Sequence, residues 1–123
     1  MSTHPAFQTE IEFELPKGYV DDGGTLHRKG VMRLATAADE ILPLRDPRVR
    51  ENEAYLAVIV LSRVIVRLGS LKDIHPGVIE GLYASDLGYL QRLYETFNAG
   101  DDGDAAALGS GTGLKRMTML GEA

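Results

Sequence analysis

Glu10-Ile11-Glu12-Phe13-Glu14-Leu15-Pro16-Lys17-Gly18-Tyr19-Val20-Asp21-Asp22-Gly23-Gly24-Thr25-Leu26-His27-Arg28-Lys29-Gly30-Val31-Met32-Arg33-Leu34 is the stretch that decides the fold. Its first part alternates, with Ile11, Phe13 and Leu15 on one side and Glu10, Glu12 and Glu14 on the other. That period of two marks a strand with one buried and one wet face. Pro16 and Gly18 read as the close of the strand. Asp21-Asp22-Gly23-Gly24 supplies turn residues tolerant of positive φ, and Leu26 to Leu34 can return as a second strand. Its alternation is poorer, and Gly30 in its middle points to a bulge or a close backbone approach. Two strands alone are rarely stable, so the apolar face of this hairpin, spanning 9–34, needs the rest of the chain or another chain as cover.

Downstream the punctuation is helical. Thr36 followed three residues later by Asp39 resembles a capping box, opening a short helix through Ile41 that Pro43 ends. Asp46-Pro47 is a second start signal. From there the pattern runs to Leu68, with Gly69 as the stop. Val58, Ile59, Val60, Val64, Ile65 and Val66 favour strands, but the length of the run argues for one long central helix. Between Ala54 and Leu61 it is apolar almost all round and so belongs in the core. Arg63 and Arg67, four apart, would share its exposed stripe. A further helix is expected from His75-Pro76 through Val78 to about Ala84. Ser85 or Asp86 would cap a last one, Leu87 to Asn98, with Leu87, Leu90, Leu93, Tyr94 and Phe97 on one face.

The reading is an α+β fold: an N-terminal hairpin, then a small helical bundle over 36–98. Residues 1–8 are expected to be a flexible N-terminus, 9–98 a single domain and 99–123 a flexible tail, because the Asp, Gly, Ala and Ser of 99–113 bury little apolar surface. Leu114-Lys115-Arg116-Met117-Thr118-Met119-Leu120 follows that spacer as an apolar and basic cluster. It reads either as a frayed end or as a recognition segment that docks through Leu114, Met117 and Leu120.

Composition excludes several functions. The chain has 123 residues, no cysteine and a net charge of −5. Disulfides and thiolate metal sites are excluded, and a reducing compartment is favoured. An acidic balance argues against nucleic acid as partner, since phosphate contacts draw on clustered Lys and Arg. The apolar run Ala54 to Leu68 is too short to cross a membrane and carries Arg63 and Arg67. The first ten residues lack the pattern of a signal peptide, so a cytoplasmic protein is expected.

No catalytic constellation is legible. Gly109-Ser110-Gly111-Thr112-Gly113 lacks the preceding strand and lysine spacing of a phosphate loop. Asp21-Asp22-Gly23-Gly24 lacks the alternating ligands of a calcium loop. His4, His27 and His75 are scattered, so no metal or cofactor is expected. Glu10, Glu12 and Glu14 form either a solvated strand face or an acidic face for a basic partner. Arg45, Arg48 and Arg50 read as a solvated helix start, with Arg45 and Arg48 free to pair with those acids. No nucleophile, general base and oxyanion donor can be assembled, so the protein reads as non-enzymatic.

Residues Phe13 to Ile41, continuing through Pro43-Leu44-Arg45-Asp46-Pro47-Arg48-Val49 and Asn52-Glu53-Ala54-Tyr55 to the Tyr94, Phe97 and Asn98 region, resemble small phage tail assembly proteins of contractile tails and phage-like contractile injection systems. The resemblance implies a non-catalytic factor made alongside tube, sheath, baseplate and tape-measure proteins. In the tail assembly chaperone class, such small acidic proteins are thought to coat the tape-measure protein until the tube displaces them. Expected partners are therefore tape-measure, tube or baseplate proteins, with a homo-oligomer also open, and the expected place is the cytoplasm or an assembled tail. No frameshifted extension is visible here, and a hairpin could equally seat the chain as a permanent baseplate or tube subunit. On either reading the partner-binding residues are expected to be Ile11, Phe13, Leu15 and Tyr19, with Leu114, Met117 and Leu120.

Overall fold

The computed structural model describes residues 8–99. The chain order is β1 (Glu10–Val20), β2 (Leu26–Arg33), α1 (Ala37–Ile41), α2 (Pro47–Glu51), α3 (Leu56–Val64), β3 (Ile65–Leu68), α4 (Pro76–Glu80) and α5 (Ala84–Asn98), with 3-10 turns at Leu42–Arg45 and Glu53–Tyr55. The fold is α+β, but the hairpin belongs to a three-stranded antiparallel sheet in the order β1-β2-β3. The third strand supplies pairing that two strands lack.

Sheet register assigns the faces. Ile11 lies opposite Met32 and Phe13 opposite Gly30, on the side covered by helices; Glu10 lies opposite Arg33, Glu12 opposite Val31 and Glu14 opposite Lys29, on the outer side. Phe13, Leu15 and Met32 join Leu56, Val60, Leu61, Val64, Leu68, Ile79, Leu90 and Tyr94 in one core. Gly30 is a close approach: a Cβ there would stand 2.5 Å from Phe13 Cζ and would meet the Arg67 carbonyl. Its missing side chain lets the Phe13 ring close over β2.

β1 does not end at Pro16. It runs on to Val20, with Leu15 to Gly18 bulging opposite Arg28 alone before Tyr19 pairs with His27. Proline has no N–H to give to a ladder, and Gly18 adopts φ +102°, so both residues belong in such an interruption rather than at a strand end.

The expected single long helix is absent, and two breaks explain why. Asn52 takes an extended conformation after α2, and its side chain accepts the Ala54 N–H. That side chain substitutes for the backbone and interrupts the helix. After a nine-residue α3 the chain turns at Val64-Ile65 into β3, where Met32 pairs Ile65, Val31 pairs Arg67 and Gly30 pairs Leu68. Val66 is the extra residue of that register and is exposed. Gly69, at φ +57°, therefore ends a strand and not a helix. Arg63 and Arg67 lie on different elements, not on one helical stripe.

Local start signals are realised more closely. Asp46 accepts from Arg48 N–H at the head of α2, and His75 Nδ1 from Gly77 N–H at the head of α4. α4 stops at Glu80, short of Ala84, and α5 begins at Ala84 with Tyr83 as its cap, so Ser85 and Asp86 lie inside the first turn. No helix of the described residues is long and apolar enough to cross a membrane.

Candidate interaction surface

Among the described residues three charged or ionisable side chains are buried: His27, Asp39 and Asp86. Each is engaged by the fold. Asp21 closes the hairpin turn by accepting from Gly23 and Thr25 N–H, and its Oδ2 lies 2.7 Å from His27 Nε2. His27 Nδ1 accepts the Ser70 N–H at 3.2 Å, so the ring carries its proton on Nε2 and donates it to Asp21. The His27 hydrogen bond, with those of the turn amides, lowers the Asp21 pKa. Aspartate, histidine and serine thus meet, but not as a nucleophilic triad. The ring nitrogen facing the serine is occupied by its backbone amide, leaving no base for the hydroxyl. The trio ties the β1–β2 turn to the end of β3.

Asp39 performs the corresponding task at the other end of the sheet. Its carboxylate accepts from Arg33 Nη1 and Nη2 at 2.7 and 3.1 Å, from Arg63 Nε at 2.9 Å and from Thr36 N–H at 2.8 Å. The Arg33 guanidinium holds the carboxyl well below the ordinary range, against the opposing effect of burial. Arg33 also donates to the Arg63 carbonyl in the last turn of α3, where a cation complements the helix dipole. Nearby, Tyr94 donates to Glu40 at 2.5 Å, and burial first, then that carboxylate, pushes its pKa up.

The third buried group holds the bulge. Asp86, on the first turn of α5, accepts from Lys17 N–H at 3.0 Å and Gly18 N–H at 2.7 Å. Arg28 treats the carbonyls of the same segment, donating to Leu15 O and Pro16 O at 3.0 and 3.2 Å. An anion on the amides and a cation on the carbonyls satisfy backbone groups that the ladder leaves unpaired. Neither contact is visible in the sequence, because Asp86 acts across 69 residues from Lys17.

The partner-binding residues expected from the sequence are divided by the structure. Phe13 and Leu15 are core side chains, at 5% and 0% exposure, covered by helices of their own chain. Ile11 and Tyr19 are half-buried against the same core. Leu114, Met117 and Leu120 lie outside the described residues. Arg48 pairs with Asp46 at 2.9 Å and stacks over the Tyr55 ring, rather than with the glutamates of the hairpin.

What faces outward is the opposite side of the sheet. Glu10, Glu12 and Glu14 are exposed, and a shallow groove runs along them, lined also by Lys29, Arg67 and Tyr89. A second outward feature is apolar: Ile41, at the end of α1, and Leu42 and Leu44, on the turn after it, are all exposed. Among the described residues no three His, Asp or Glu side chains are grouped to hold a metal ion. No protein-family model matches this chain, and no curated protein and no solved structure matches it.

Proposed function

We propose that this protein is a non-catalytic assembly factor for a contractile phage tail or phage-like injection system, a tail assembly chaperone acting on tape-measure or baseplate proteins. The observation that carries this reading is the sequence resemblance running from Phe13 to Tyr55 and resuming at Tyr94 to Asn98. The geometry supports its non-catalytic part: His27, Asp39 and Asp86 are consumed in joining strands to helices, while the outer sheet face and the Ile41-Leu42-Leu44 turn remain for protein contact. A permanent subunit of the baseplate or tail tube is the second reading. The edge position of β1 favours it, since an edge strand can continue a neighbouring sheet. Quantitative protein composition of purified particles decides between them. A chaperone is missing from finished particles, whereas a structural subunit is present at fixed stoichiometry. If deleting the gene leaves particle assembly and tail length unchanged, both readings fail.

A further inference from the structure

The outer edge of β1 is sealed along part of its length and open along the rest. Leu34 N–H donates to Thr9 O at 2.8 Å, and bonded pairs alternate in an antiparallel ladder. Ile11 and Phe13 therefore direct their backbone groups at β2, while those of Glu10, Glu12 and Glu14 point away from it. From Glu14 onward α5 covers the edge. Tyr89 Oη stands 3.4 Å from the Glu14 N–H, and Asp86 takes the amides of Lys17 and Gly18. Among the described residues, no hydrogen bond engages the outward N–H and C=O groups of Glu10 and Glu12. An edge of this kind is a template on which another strand can pair.

Charge selects what that strand is. Glu10, Glu12 and Glu14 stand two residues apart on the outer face, all exposed, beside the groove that also borders Gln8, Lys29, Arg67 and Tyr89; Arg28 lies 3.8 Å from Glu14, whereas among the described residues Glu10 and Glu12 carry no ion pair. A second copy of β1 added to this edge would set glutamates opposite glutamates, and like charges directly opposite destabilise a strand pair. A strand with Lys or Arg at alternate positions meets the same row with complementary charge. Arg33, which could have neutralised Glu10 from within the sheet, is turned to Asp39 instead.

We propose that the Glu10–Phe13 edge of β1 takes up an extended basic segment of a partner protein by strand addition. The partner's backbone bonds to Glu10 and Glu12, and its alternate lysines or arginines lie beside Glu10, Glu12 and Glu14. This inference stands on the edge and its charge alone, independently of the tail-assembly reading.

The test uses the full chain and a short peptide of alternating lysine and threonine, followed by nitrogen–proton correlation NMR. The expected result is a set of saturable shifts centred on the amides of Glu10 to Phe13, weakened by added salt. The same peptide N-methylated on its edge-facing amides should not bind. Replacing all three acids, Glu10→Gln with Glu12→Gln and Glu14→Gln, should weaken binding about tenfold. These side chains are exposed, so the variant keeps the fold, which its circular dichroism checks. Equal binding of the N-methylated peptide would reduce the effect to diffuse charge attraction and overturn the proposal. So would shifts centred elsewhere, or no binding at millimolar peptide. Concentration-dependent shifts of the Glu10 to Phe13 amides without peptide would assign the edge to a second copy and overturn it likewise.

Discussion

Replacing Asp39 by alanine should be among the most damaging single changes outside the apolar core. Asp39 is only 2% exposed and joins α1 to both β2 and α3 through Arg33 and Arg63. Removing one partner of a fully buried ion pair costs about 3–5 kcal/mol. Here both arginine side chains are about a third exposed, at 33% and 36%, so they rehydrate when the carboxylate goes. That brings the electrostatic loss down to about 2 kcal/mol. Loss of the bond to Thr36 N–H at the helix start adds about 1 kcal/mol. The sum, about 3 kcal/mol, corresponds to a fall in Tm of roughly 12–24 °C for a domain of this size. Urea unfolding followed by far-UV circular dichroism near neutral pH measures the loss directly, with the slope against urea expected unchanged. The pH dependence supplies a second check. Because Arg33 depresses the Asp39 pKa in the folded state, the stabilisation is fully present above the unfolded value of about 3.9 and is lost as pH falls toward the lower folded value. The gap between the native chain and Asp39→Ala should therefore narrow progressively below about pH 4. A loss under about 1 kcal/mol at neutral pH, or a gap that stays constant on acidification, would refute the assignment of Asp39 as the joint between sheet and helices.

Asp86→Ala should cost about 2–3 kcal/mol, because it leaves the Lys17 and Gly18 amides without an acceptor. Hydrogen exchange at those two amides should accelerate relative to Met32, and unchanged exchange would show that α5 does not hold the bulge. Phe13→Ala should cost about 3–5 kcal/mol, since the ring is 5% exposed and fills the space over Gly30. A change within about 0.5 kcal/mol would mean that this face is a free surface after all.

These placements change how the hairpin is understood. An alternating strand announces that one face is to be buried, but not by what. Phe13 and Leu15 meet α3, α4 and α5 of the same chain in one core. What the hairpin leaves uncovered is the face that alternation marks as wet, together with the part of the strand edge that α5 does not reach. The backbone hydrogen-bonding groups of an edge strand make that stretch available for pairing without any exposed apolar side chain.

The residues legible in advance are those whose partners lie within a few positions. The β1–β2 turn closes through Asp21 and the amides of Gly23 and Thr25, the α2 start through Asp46 and Arg48, and the α4 start through His75 and Gly77. Such contacts depend on local backbone geometry and residue type, which the sequence states directly. The switch from α3 to β3 does not. Ile65 and Val66 fit a helix by continuity and a strand by β-branching, and the pairing of β3 with Val31 and Met32 selects the strand. The burial of Asp39 and Asp86 is also beyond sequence reading, because their partners lie up to 24 and 69 residues away. The sequence by itself determined an α+β chain with a glutamate-lined hairpin and its local caps. Only the tertiary structure decided where the long apolar run breaks, which face of the hairpin is covered and which stretch of its edge stays open. The physical reason is that helix caps and turns are satisfied by neighbours in the chain, whereas sheet edges, buried carboxylates and core faces are satisfied by whatever the fold brings beside them.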